Sequence, residues 1–154
     1  MSATLRLANL SDLSAVHAIV EEAYAPYIIR IGRKPQPMLD NYIEMITEGR
    51  VYVAERAAIV LGILVLVPQA DALLLDNVAV APEAQGSGIG RKMLEFAEKM
   101  ALKAGYGSIR LYTNEAMTEN IALYTHLGYV QTYRVEERGF RRVYMSKRVS
   151  ETQG

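Results

Sequence analysis

The sequence predicts a mixed α/β (α+β) fold, a mostly antiparallel twisted sheet of about seven strands with helices on both faces. Two observations carry that expectation. Strand-like runs come in pairs joined by short turns, which implies antiparallel neighbours. Mid-chain, an apolar run is followed by a glycine cluster, a helical pattern and a further strand, and that unit implies one parallel crossover. The 154 residues suffice for one compact domain with a real core, residues 1–149, followed by a short tail, 150–154.

The elements read off in order. Leu5 and Leu7 alternate with polar neighbours as a first strand. Asn9 or Ser11 then caps a helix whose apolar face is Leu13, Val16, Val20 and Tyr24, stopped by Pro26. The proline-rich stretch from Pro26 to Met38 reads as an ordered loop. Pro37 suits the first turn of a second helix with Leu39, Tyr42, Ile43 and Ile46 on its apolar face, ended by Gly49. The period then changes to two. Val51–Val53, Ile59–Val67 and Ala72–Val80 are three successive strands, the last the most buried-looking of the chain. Met93, Leu94, Ala97 and Leu102 mark a helix ending at Gly105. A strand at Ile109–Thr113, a short helix at Ile121–Leu127 and two strands, Tyr129–Val135 and Arg142–Lys147, complete the order, with a turn at Gly139.

Composition narrows the function. Seventeen basic residues balance seventeen acidic ones, so net charge argues for neither nucleic acid nor an anionic membrane as partner. The chain has no cysteine and only two histidines, His17 and His126. Disulfides, a thiolate nucleophile and cysteine-ligated zinc are excluded, and no metal is expected. The longest apolar run, Ala57 to Val67, is well short of the roughly 20 residues that span a bilayer. The N-terminal stretch lacks the pattern of a signal peptide, and a cytoplasmic protein is the expectation.

The informative stretch is VAVAPEAQGSGIGRKML, Val78 to Leu94. A helix N-terminus offers free N–H groups and a partial positive charge, which suits phosphate oxygens. Gly86, Gly88 and Gly90 strip side chains from that approach, and Arg91 and Lys92 add positive charge in a first turn where helix stability alone prefers acids. The competing reading is a tight turn with a glycine needed for helix–strand packing. A Walker A loop fails because Arg91 follows Gly90, and a G-x-G-x-x-G dinucleotide fingerprint fails on spacing.

The same stretch resembles the acetyl-coenzyme A signature of the GNAT superfamily of N-acetyltransferases, Q/R-x-x-G-x-G/A, with Gln85, Gly88 and Gly90 in its fixed places. The resemblance continues through LYTNEAMTENIALYTHLGY, Leu111 to Tyr129, and the element order agrees from first strand to last. It implies a GNAT-like acyl-CoA N-acyltransferase fold and acetyl transfer from acetyl-CoA, the cosubstrate, to a primary amine of a small molecule or peptide.

It also implies roles. The pyrophosphate would lie on the amides of Gln85, Gly86, Ser87, Gly88, Ile89, Gly90 and Arg91. The pantetheine arm would run beside Val78, Ala79 and Val80, where the strand splays from its neighbour, and the Val78 N–H would face the thioester oxygen. Asn120 and Asn114 match polar contacts of the family, with a helix cap and a turn as their respective alternatives. Tyr124, four residues after Asn120 on the same helical face, matches the family's tyrosine acid to the leaving thiolate. Asp76, a lone carboxylate in an apolar strand, is the candidate base or else a structural hydrogen-bond acceptor. Tyr27, Arg30 and Arg33 are candidates to grip the acceptor, with Tyr133, Arg138 and Phe140 walling the other side. A homodimer is expected. A non-catalytic acyl-CoA sensor and a mononucleotide binder remain as rival readings.

Overall fold

The computed structural model describes residues 2–149; the predicted tail, 150–154, lies outside them. Seven strands form one sheet in the order β1-β2-β3-β4-β5-β7-β6: β1 (Thr4–Leu7), β2 (Val51–Arg56), β3 (Ile59–Pro68), β4 (Leu73–Val80), β5 (Ser108–Asn114), β6 (Val130–Glu137) and β7 (Phe140–Arg148). Every pairing is antiparallel except β4 with β5. That exception is the crossover carrying the glycine cluster and a 15-residue helix, as the strand–glycine–helix–strand pattern requires.

Five helices flank the sheet: α1 (Leu13–Tyr24), α2 (Tyr27–Ile31), α3 (Tyr42–Thr47), α4 (Ile89–Lys103) and α5 (Thr118–His126). On one face, Val16, Ile19, Val20 and Tyr24 of α1 and Tyr42 and Ile46 of α3 pack on Val51, Val53, Ile63 and Val65. On the other, Met93, Leu94, Ala97 and Ala101 of α4 and Tyr124 of α5 pack on Leu64, Leu75, Ile109 and Leu111. Helix α4 meets the sheet closely at Gly62, where a Cβ would stand 2.9 Å from Met93 Cε and 3.3 Å from the Ala79 carbonyl of the neighbouring strand. The isolated glycine of an otherwise bulky apolar strand is explained by that contact.

The first third of the chain departs from the sequence reading in three places. Asn9 caps a short 3-10 turn, Leu10–Asp12, rather than α1 itself: its side chain accepts from Ser11 N at 3.0 Å while Asp12 Oδ2 accepts from Asn9 N at 2.9 Å. Pro26 ends α1 but also starts α2, so Tyr27–Ile31 is helical where a loop was expected. Proline's fixed φ is preset for a first turn, and Pro26 sits at φ −61°. Pro37 lies in a separate 3-10 turn, Gln36–Met38, and α3 waits for its own cap at Asn41, whose Oδ1 accepts from Glu44 N at 3.2 Å. Leu39 and Ile43, assigned to an apolar helix face, are half exposed. Elsewhere boundaries move by a few residues; α5 begins three positions before Ile121, which puts Asn120 in its first turn.

Candidate functional site

The site begins with a fault in the β3–β4 ladder. Val65 faces Asn77, but Leu66 faces Leu75, so Asp76 is an extra residue without a partner on β3. This is a β-bulge. Across it the alternation of faces inverts: Leu73 and Leu75 join the α4 side of the core, and so do Val78 and Val80 beyond the bulge. Simple strand alternation, which would set Asp76 and Val78 on one face, is therefore broken locally, although both residues line the same cavity.

The bulge coincides with the parting of β4 and β5. Their backbone pairing runs through Leu73–Ile109, Leu74–Arg110 and Leu75–Leu111, and goes no further. Four residues of β4, Asn77 to Val80, thus have a partner on one side only, and the bulged Asp76 has one on neither. Ala81 donates to the Leu61 carbonyl at 2.8 Å, which makes Ile63–Ala79 a hydrogen-bonded pair and Leu64–Val78 a non-bonded one. Val78 and Val80 consequently direct N–H and C=O away from β3, into the gap. The carbonyls are used there: Gln85 Nε2 donates to Val80 O at 3.3 Å, and the Tyr24 hydroxyl lies 3.3 Å from Val78 O.

Two cavities meet in this gap. The first lies between β4, α4 and α5 and is lined by Val78, Ala79, Val80, Gln85, Gly90, Arg91 and Tyr124, among others; it encloses about 920 Å³, its open mouth included. The second encloses about 520 Å³ on the same measure and is walled by Gln36, Asp76, Asn77, Tyr112, Phe140 and Arg142. Tyr24, Val78, Met117, Asn120 and Tyr124 line both. That shared wall is where a group carried in one cavity can meet a group held in the other.

The glycine loop borders the first cavity through Gln85, Gly90 and Arg91, while Gly88 and Ile89 line a separate hollow beside Lys92. Gly88 is the N-cap of α4 at φ +90°, and Gly86 stands at φ +82°. A Cβ on either would meet nothing within 4 Å, so it is the left-handed backbone, not crowding, that demands glycine there. The first intrahelical bond is Lys92 N to Gly88 O, and no side chain caps the helix. Among the described residues the N–H groups of Gly88, Ile89, Gly90 and Arg91 have no partner, and Gly86 N joins them, whereas Gln85 N and Ser87 N already donate to the carbonyls of Pro82 and Ala84. Arg91 lines the cavity, but Lys92 does not: its ammonium donates to the Ala3 carbonyl on the far side of the helix. The positive charge read into this first turn is therefore halved on the cavity side.

Tyr124 is buried against Tyr129, ring centroids 5.8 Å apart, and its hydroxyl has no hydrogen-bond partner among the described residues. Burial pushes its phenol well above the usual value of about 10, so it holds its proton throughout the neutral range. Asn120 makes no capping bond and borders both cavities. Asn114 takes its alternative role, accepting from Ala116 N at 2.9 Å in a turn, and borders only the second cavity. His126 is exposed. Asp76 Oδ1 accepts from the Tyr112 hydroxyl at 2.7 Å.

The predicted acceptor residues are mostly elsewhere. Arg30 is exposed and paired with Glu119 at 2.6 Å, and Arg33 covers the Phe140 ring at 4.1 Å while donating to the Arg138 carbonyl. Neither lines a cavity of the site; Tyr27 lines the first one, and Phe140 the second. Tyr133 stacks on Tyr144 at 4.6 Å, away from both cavities. Sequence reasoning missed Tyr112, Asn77 and Arg142 as site residues. Asn77 carried the same signal as Asp76, a polar side chain inside an apolar strand; Tyr112 and Arg142 carried none. Among the described residues, no group of three or more His, Asp or Glu side chains is placed to hold a metal, and no helix is long and apolar enough to cross a membrane.

Residues 47–131, more than half of the chain, match the acetyltransferase (GNAT) domain family. The chain belongs to this family. Among solved structures, the GNAT fold of this chain is similar to the PaiA N-acetyltransferase of Thermoplasma acidophilum in complex with coenzyme A, at TM-score 0.80 and 19% identity over 96% of this chain and 99% of that one. It is similar also to the ribosomal-protein-S18-alanine N-acetyltransferase of Escherichia coli, at TM-score 0.75 and 19% identity over 97% and 96% of the two chains. Likenesses at this identity establish a shared fold. A mycothiol acetyltransferase of Jonesia denitrificans is 37% identical over 62 residues, 40% of this chain, and the chain spans only 20% of that relative's length.

Proposed function

We propose that the protein is a single-domain N-acetyltransferase that moves the acetyl group of acetyl-CoA to a primary amine of a small molecule or peptide. The observation that carries the reading is the shared wall of the two cavities, where an unpaired strand N–H, Val78, and an unpartnered phenol, Tyr124, border the same space. The free amides of Gly86 and Gly88–Arg91 suit the diphosphate of the carrier, and the open edges of Val78 and Val80 suit its amide-bearing arm. Arg91, Asn120 and the Gln85 side chain border that path.

The residues then divide the chemistry. The amine attacks the thioester carbon directly. Val78 N–H steadies the negative charge that develops on the carbonyl oxygen, a contribution of roughly 3 kcal/mol for a fixed donor. Tyr124, kept protonated by burial, gives its proton to the departing sulfur. Asp76 takes the proton that the attacking nitrogen sheds. The exposed edge strand β6 is where two copies would pair as a homodimer, and a cytoplasmic setting fits the cysteine-free composition.

Calorimetry with acetyl-CoA, ATP and NAD, followed by an amine screen for thiol release, tests the reading. Acetyl-CoA is expected to bind and the nucleotides not to. Tyr124→Phe is expected to lower turnover by about 10²-fold or more while acetyl-CoA affinity holds. Binding of acetyl-CoA without turnover on any amine would favour a sensor instead, and preference for ATP or NAD would overturn the assignment.

A further inference from the structure

The second cavity carries a charge pattern that narrows the acceptor. One aromatic ring organises it: the Tyr112 hydroxyl donates to Asp76 Oδ1 at 2.7 Å, while the Arg142 guanidinium lies over the face of the same ring, 4.3 Å from its centroid. Asp76 and Arg142 both line the cavity but form no ion pair with each other. Arg142 is sequestered, its side chain 11% exposed. Its Nη1 donates to Glu137 Oε1 at 3.2 Å and the Tyr144 hydroxyl lies close enough to act on the guanidinium, while no side-chain or backbone acceptor among the described residues takes a well-formed hydrogen bond from Nε or Nη2. Glu137 is in turn held by the Tyr144 hydroxyl at 2.6 Å, so the guanidinium is fixed in place with donors to spare.

The remaining charged groups preserve the separation. Asp40, tethered by Gln36 Nε2 at 2.9 Å, adds a second carboxylate within electrostatic reach of Asp76, and Arg138 stands near enough to Asp40 to act on it alongside Arg142. Burial, reinforced by Asp76, lifts the Asp40 carboxyl above the usual range. A cavity holding two carboxylates alone would suit a polycation, and one holding only Arg142 would suit an anion. This one presents both signs in its wall, Asp76 and Arg142, spaced by Tyr112 and not paired with each other, with Glu137 behind Arg142 offsetting part of its charge.

We propose that the acceptor is a compact zwitterion, an amine that carries its own carboxylate as a free amino acid does. Its nitrogen faces Asp76 beside Val78, and its carboxylate takes the unused fork of Arg142, the side chain whose planar donors match a carboxylate. The inference rests on the acyl-transfer reading of the site and deepens it. Arg142, rather than Arg30 or Arg33, is then the specificity-determining residue.

The test compares each common α-amino acid with its own carboxamide by thiol release from acetyl-CoA, with acetyl-CoA binding measured separately by calorimetry. For the best acceptor, the acid is expected to have at least a tenfold lower KM than its amide, and Arg142→Gln to bring that ratio to near one. Arg142→Lys, which keeps the charge without the fork, should restore the preference only in part. Melting temperature and acetyl-CoA affinity of both variants verify folding. A wild-type enzyme that takes amides or plain amines as readily as acids overturns the proposal, as does an Arg142→Gln variant that keeps the preference. In either case acetyl transfer itself stands. Failure of the wild type to bind acetyl-CoA removes the underlying reading and this proposal with it.

Discussion

Tyr112 and Asp76 join side chain to side chain one step beyond the last backbone pair between their strands, Leu75 with Leu111. Where the parallel ladder stops, a phenol–carboxylate bond takes over, and the cleft opens from there. The carboxylate is thus both a structural acceptor at the fork of the strands and the candidate base, and the two roles can be separated. Asp76→Asn keeps an oxygen for Tyr112 but loses the charge, and it is expected to lower kcat/KM by about 10²-fold. Tyr112→Phe keeps the charge and loses the bond, and should cost less than tenfold. Steady-state thiol release on both variants decides it: equal losses would assign the effect to the bond rather than to proton transfer.

Gly88 tests the loop. A Cβ there would meet nothing within 4 Å, so a side chain has room, but the φ of +90° strains any residue other than glycine. Gly88→Ala is therefore expected to destabilise by about 1 kcal/mol through backbone strain alone, and to weaken acetyl-CoA binding about tenfold by turning the free amides off their aim. Gly90→Ala has no positive φ to satisfy and places its Cβ at an ordinary 3.7 Å from Val80 Cγ2. It should be nearly silent in urea unfolding. Calorimetry on the pair distinguishes conformation from bulk, and equal affinity losses would refute the conformational account.

A buried polar chain fixes the acceptor side to the splayed strand. The Tyr24 hydroxyl donates to Asn77 Oδ1, Asn77 Nδ2 donates to the Tyr42 hydroxyl at 3.1 Å, and Tyr42 donates to the Pro37 carbonyl at 2.6 Å. Asn77 is 2% exposed, and removing it takes one partner from each of two core hydroxyls, leaving Tyr42 its bond to Pro37 and Tyr24 only the longer contact with Val78 O. Asn77→Ala is expected to cost about 2 kcal/mol in urea unfolding and to raise the amine KM, because Pro35–Pro37 wall the acceptor cavity. The KM for acetyl-CoA should stay within twofold. A matching rise in both would mean that the chain supports the whole fold and not the acceptor wall.

How far the site was legible follows from these residues. The glycine loop and the crossover helix were readable because backbone needs leave fixed marks, φ near +90° selecting glycine and a helical face repeating every three to four residues, whereas Tyr124 was singled out by family likeness, with its spacing from Asn120 in support. The fork of β4 and β5 was readable only through family likeness, since no residue type encodes the end of a parallel ladder. The bulge at Asp76 was invisible, because an extra residue is defined by its partner strand and not by its own neighbours. Arg142 and Tyr112 escaped for the same reason, meeting only through the pairing of β5 with β7, in which Tyr112 faces Tyr144. Arg30 and Arg33 were favoured for lying in the right segment; α2, which the prolines concealed, turns Arg30 outward to Glu119.

Tyr129 provides a prediction about stability and pH. Its hydroxyl is fully buried and is the one buried side-chain polar atom without a hydrogen-bond partner among the described residues. Tyr129→Phe removes a desolvated group that gains nothing in return, so it is expected to stabilise the protein by about 1 kcal/mol at pH 7. The alkaline limb gives a second readout. Burial is the chief reason that Tyr24, Tyr42, Tyr124 and Tyr129 all hold their protons above the ordinary phenol value of about 10. The native state then binds more protons than the unfolded chain once pH passes that value. The stability is fully present below about pH 10 and is lost progressively above it, by up to about 1.4 kcal/mol per pH unit for each such tyrosine. Urea midpoints between pH 8 and 11.5 should be flat and then fall, and the fall should be shallower by one proton in Tyr129→Phe. A loss of stability at pH 7 on that substitution would show instead that the hydroxyl is held, by a buried water for instance, and that the tyrosine of the Leu-Gly-Tyr turn is satisfied after all.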